Sequence, residues 1–184
     1  MKNIDMRFDQ NIFKTLIGKH FNKYRCDQFV YTPSVTQIVG LYIDSEIFKI
    51  KNELETVDYF GNREEIAVST FSKCGNEDVK SALVEGQMID NPVEGIINAI
   101  KIVNEHQQVC LNDESEYDVW LTRGIIFIVE DREISFEKSI VPFSEEINIR
   151  KGYDLIKLFG TIEEFTDGWD ENVKARIEQE IITI

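Results

Sequence analysis

Cysteine, proline and histidine are scarce in this chain: its 184 residues hold three, three and two of them. The cysteines, Cys26, Cys74 and Cys110, are odd in number and far apart. That spacing fits neither the disulfide framework of a small secreted domain nor a paired zinc knuckle, so reduced, mostly buried thiols are expected. No apolar run approaches the roughly 18 residues of a membrane-spanning helix, and Met1 to Asp9 lacks the continuous apolar stretch of a signal peptide. The expectation is a soluble cytoplasmic protein without a membrane partner.

Positive charge is short as well. Twenty basic side chains face 34 acidic ones, a formal charge of −14. Nucleic acids and anionic membranes are recognised by basic faces that displace counterions, so direct binding to either is not expected. A glycine-rich phosphate loop, a dinucleotide fingerprint and a nucleophile-elbow serine are all missing. No cofactor, catalytic residue or metal ligand is assigned.

What is present suffices for a core, because 42% of residues are hydrophobic and 11% aromatic. The length fits one large domain or two small ones. Several segments also echo one another in order: Glu64, Glu65 and Ile66 match Glu145, Glu146 and Ile147. Ile12, Phe13, Leu16, Cys26 and Gly40 recur 84 residues later as Ile96, Ile97, Ile100, Cys110 and Gly124. The expected organisation is therefore two similar units, 1–90 and 91–184, with an insertion near 151–171. The alternative is one single domain whose half-buried strands share an alternating composition. Charge divides unevenly, with 11 basic and 14 acidic residues in 1–91 against 9 and 20 in 92–184.

Periodicity predicts a helix from about 10 to 24, capped by Asp9, and another from Pro92 along the stripe Val93, Ile96, Ile97, Ile100 and Val103. Strands are predicted at 29–32, 38–43 and 47–51, then at 124–129 and 133–138, with polar turns at 44–46 and 130–132. Further strands are expected at both Glu-Glu-Ile motifs, near 82–89 and from 173 to 184, the last also compatible with a helix. The fold class is α+β, predominantly antiparallel β with a few helices.

Adjacent glutamates on a strand point to opposite faces, so Glu64–Glu65 and Glu145–Glu146 make poor acid/base dyads. The acidic runs Asp113–Asp118 and Asp167–Glu171 lack the spacing of a calcium loop and read as solvated loops. His20 and His106 stand six and four residues before Cys26 and Cys110. Those unequal spacings favour core thiols and surface histidines over a shared zinc site or a cysteine nucleophile. The candidate binding residues are Phe165, Asp167, Trp169, Asp170 and Glu171, where an aromatic sits in a glycine-containing acidic loop. The alternative is that Phe165 and Trp169 fold back to cap the core.

The functional expectation is a non-enzymatic interaction, inhibitory or immunity-type module whose acidic surface engages a basic protein surface. Alternatives are an enzyme or small-ligand protein with a cleft between the repeats, and a structural part of a larger assembly.

Overall fold

Alternating side chains and β-branched residues make strands of most of the chain. The computed structural model describes residues 4–27, 34–59, 62–81, 88–140, 144–166 and 171–184. Its strands are β1 (Ile4–Met6), β2 (His20–Asp27), β3 (Ser34–Thr36), β4 (Ile38–Ile43), β5 (Glu46–Tyr59), β6 (Asn62–Lys73), β7 (Met88–Leu111), β8 (Glu114–Val129), β9 (Arg132–Lys138), β10 (Glu146–Gly152) and β11 (Val173–Thr183). Helix among the described residues is confined to α1 (Gln10–Lys14), α2 (Ile162–Thr166) and 3-10 turns at Asn76–Asp78 and Leu155–Leu158. The predominantly antiparallel β class is thus observed, and among the described residues only β1 with β8 is a parallel pair. No helix among the described residues is long and apolar enough to cross a membrane.

The ladder runs β3-β10-β9-β8-β7-β2-β4-β5-β6, with β11 added to β7. Its first strand and its seventh are neighbours in the chain, separated only by Gln37, whose φ of 66° bends the backbone between them. Gln37 donates its N–H to the Glu145 carbonyl (3.2 Å) and accepts at its own carbonyl from Asn52 N (2.7 Å). The sheet therefore closes on itself as a barrel-like ring, and β5 with β6 continues beyond it as a two-stranded ribbon. Inside the ring lies the larger core, where the rings of Phe21 and Phe127 meet edge-on at 5.2 Å and those of Tyr24 and Phe136 at 5.5 Å. A second core joins Met6, Val109, Tyr117, Val119, Leu121 and Phe165.

Both predicted helices need correction. Asp9 does cap α1, accepting from Asn11 N at 2.9 Å, but the helix stops at Lys14 and the chain turns at Gly18, whose φ is +80°. Residues 20–24, predicted helical, are the start of β2. The second stripe falls within the 24-residue strand β7. Val93, Gly95 and Ile97 are buried in alternation with exposed Pro92, Glu94, Ile96 and Asn98. Five β-branched residues in the predicted stripe lose rotamer freedom in a helix but pack well on a pleated sheet, and Pro92 lies where β7 is bonded to β2 alone. As a result Ile12–Leu16 and Ile96–Ile100, matched in sequence, have different backbones.

The hairpins at 38–51 and 124–138 form as predicted, as does a strand over 173–183. The strand predicted at 29–32, most of 82–89 and the aromatic segment 141–143 lie outside the described residues.

Candidate interaction surface

The segment after β10 reaches back across the sheet through α2. Its start is a capping box: Thr161 N donates to the Glu164 carboxylate (3.1 Å) and Glu164 N to the Thr161 hydroxyl (3.3 Å). The helix directs Phe165 into the second core, where it is 3% exposed and lies 6.5 Å from the Tyr117 ring. Phe165 is thus an anchor rather than an exposed contact. Glu163 and Glu164 remain exposed on the same short helix. Of the other predicted binding residues, Glu171 is exposed, and Asp167, Trp169 and Asp170 lie outside the described residues.

From Glu171 the chain enters β11, which pairs with β7 from Val173 opposite Leu111 to Thr183 opposite Lys101. That register sets Glu171, the end of one acidic run, beside the other. Asn112 and Asp113 turn β7 into β8 with φ of 51° and 66°, the two-residue geometry that suits the twist of a hairpin. Asn112 N donates to the Asn172 carbonyl at 3.4 Å, and the Lys174 ammonium binds Asp113 at 2.6 Å. The Lys174 hydrogen bond and charge hold the Asp113 carboxyl below its ordinary pKa. Asp113, Glu114, Glu116 and Glu171 are all exposed at this end of the sheet, next to Leu111 at 39% exposure.

The outward face of the adjoining strands carries a cross-strand row. Glu178 on β11, His106 on β7, Trp120 on β8 and Asp5 on β1 are register partners. The His106 ring stacks on Trp120 at 4.6 Å, and the Arg7 guanidinium lies 4.6 Å from the Trp120 ring centroid. His106 Nε2 is 2.7 Å from Asp118 Oδ1. Trp120 is half-buried in this stack. Next to it an open, polar cleft of about 620 Å³ is lined by Asp5, Arg7, Phe8, Asp9, Gln10, Asn11 and Asn104. Its lining includes neither histidine and neither glutamate pair.

The remaining chemical candidates are dispersed. His20 begins β2, with Nδ1 2.7 Å from Asn22 Oδ1 and Nε2 3.8 Å from Glu94. Burial pushes the Cys26 thiol up to about 11, which leaves it protonated and unreactive at neutral pH. Glu64 and Glu65 face solvent on the β5–β6 ribbon, opposite Val57 and Thr56. Among the described residues, no three potential ligands converge to hold a metal.

Sequence reading missed the capping box, although Thr161 and Glu164 spell it. It also missed the juxtaposition of residues 113–116 with 171, which depends on a strand pairing across some sixty residues. No family model, curated protein or solved structure matches this chain.

Proposed function

We propose that the protein is a non-enzymatic interaction module, of inhibitory or immunity type, that engages a basic protein surface through the end of the sheet where the β7–β8 turn meets the start of β11. The observation that carries this reading is the β11 register. It brings Glu171 from one acidic run to Asp113, Glu114 and Glu116 from the other, beside the Lys174 ammonium that binds Asp113. Such a cluster accelerates encounter with a cationic partner and is screened by salt. Leu111 at its centre supplies apolar area that exclusion of water would turn into affinity. Phe165 packs in the second core and the Thr161–Glu164 box caps α2, which anchors this short helix to the sheet.

The test is cross-linking mass spectrometry of the wild-type protein in host extract, at low and high salt, beside the triple variant E114K/E116K/E171K. A basic partner should cross-link to this end of the sheet at low salt, weaken at high salt and be lost in the variant. Absence of any partner, or one indifferent to both salt and the substitutions, would overturn the proposal.

A further inference from the structure

Arg123 heads the fully buried side chains in size, a placement that demands compensation. Backbone geometry puts it there. Val103 pairs with Gly124 and Asn104 with Thr122, so Arg123 is the extra residue of a β-bulge in β8 and its side chain is re-aimed into the protein. Arg123 Nη2 donates to Glu137 Oε1 at 2.8 Å, and Nε is 3.4 Å from Glu105 Oε2. Nη1 has no hydrogen-bond partner among the described residues.

A second cation approaches the same place from β9. Lys138 is 7% exposed and donates from Nζ to the Ser144 carbonyl at 2.7 Å; no carboxylate among the described residues pairs with it. Arg123 and Lys138 both line an interior cavity of about 10 Å³, which is room for roughly one water-sized body. Its other walls are apolar, from Phe8, Ile50, Phe136 and Ile147, or hydroxyl-bearing, from Ser69 and Thr122. Both hydroxyl protons are committed, Ser69 to Asn52 Oδ1 and Thr122 to Asn104 Oδ1, each at 2.9 Å. Among the described residues, the cavity is thus lined by two cationic side chains and no carboxylate.

We propose that this cavity is a binding site for one small, desolvated monovalent anion of the halide class, chloride being the physiological member, held between the Arg123 guanidinium and the Lys138 ammonium. Charge selects the ligand, because a water offers two facing cations only its dipole whereas an anion offers a full opposite charge. Size excludes phosphate and sulfate. The apolar walls favour a weakly hydrated ion over a strongly hydrated one. The ion would tie β8 to β9 inside the ring, at a site separate from the acidic end of the sheet.

The experiment is bromide soaking of wild-type crystals with anomalous diffraction, paired with thermal unfolding in which bromide replaces gluconate at constant ionic strength. An anomalous peak is expected in the cavity within hydrogen-bonding distance of both cations. The unfolding midpoint should rise about 3–5 °C for each tenfold increase in bromide above its dissociation constant. That rise should vanish in Lys138→Met and persist in the surface control Lys80→Met. A cavity without an anomalous peak, or equal midpoints in bromide and gluconate for the wild type, would overturn the proposal; both readings stand even if Lys138→Met does not fold.

Discussion

Replacing Arg123 with methionine keeps most of the side-chain volume and removes the charge that lies between two buried carboxylates. Glu137 retains the Arg150 guanidinium and the Gly160 N–H at 3.4 Å. Glu105, 1% exposed, keeps among the described residues the amides of Gln107 at 2.8 Å and Gln179 at 3.3 Å. Removing one partner of a buried ion pair costs about 3–5 kcal/mol, because the remaining charge stays desolvated. For a domain whose whole stability is about 5–15 kcal/mol, that loss is large. The loss has a pH signature. Burial already raises the Glu105 pKa above 4.5, with Arg123 the chief opposing influence, so Arg123→Met raises it further. The folded variant then binds a proton that the unfolded chain releases at its ordinary pKa. The contribution of Glu105 to stability is therefore greatest in acid and is lost as pH rises through its folded-state value. Urea unfolding followed by tryptophan fluorescence should therefore show the full deficit at neutral pH and a smaller one near pH 4.5. Adding Glu105→Gln should recover much of the neutral-pH loss. A deficit under about 1 kcal/mol at neutral pH, or one equal at both pH values, would refute the reasoning.

Lys138 titrates in the opposite sense: burial and the Arg123 charge, against the weaker pull of Glu145, bring its pKa down from 10.5 to about 8. In halide-free buffer the wild type should gain about 3 kcal/mol relative to Lys138→Met between pH 8 and 10.5, where only the unfolded lysine holds its proton; denaturant titrations across that window measure it. Phe165→Ala should cost about 3–5 kcal/mol through the cavity left beside Tyr117, and should speed proteolytic cleavage between residues 160 and 171 without changing the far-UV circular dichroism of the sheet. Gly124→Ala places a methyl 2.7 Å from the Phe136 carbonyl and 2.8 Å from the Phe159 ring. It should lower stability by about 1–3 kcal/mol, whereas Gly152→Ala, whose nearest contact is Leu155 at 3.4 Å, should not.

Hairpins were the most legible part of the fold, since each is a local pattern: Ile38–Ile43 against Ile47–Lys51, and Gly124–Val129 against Glu133–Lys138, meet across polar turns. Helices were the least legible. Over Val93–Val103 the apolar positions fit a helical period and a bulged strand equally, and burial against β2 and β8 favours the strand. Of the candidate binding loop, Phe165 turned out to be a core residue, because α2 directs it against Val109 of β7 and Tyr117, Val119 and Leu121 of β8. The buried Arg123 offered no sequence signal at all. An arginine between Thr122 and Gly124 looks like a surface residue until the bulge turns it inward.

By itself the sequence determined composition, the −14 charge, the alternating runs that become strands and the polar turns that join them, all properties of residues close in the chain. Tertiary structure alone decided that the strands close into a ring at Gln37, that β11 brings Glu171 beside Asp113, and that Arg123 and Lys138 share one cavity. Those outcomes depend on register between distant strands and on single-residue bulges. A shift of one residue there reverses which face a side chain occupies, while the local pattern along the chain remains the same.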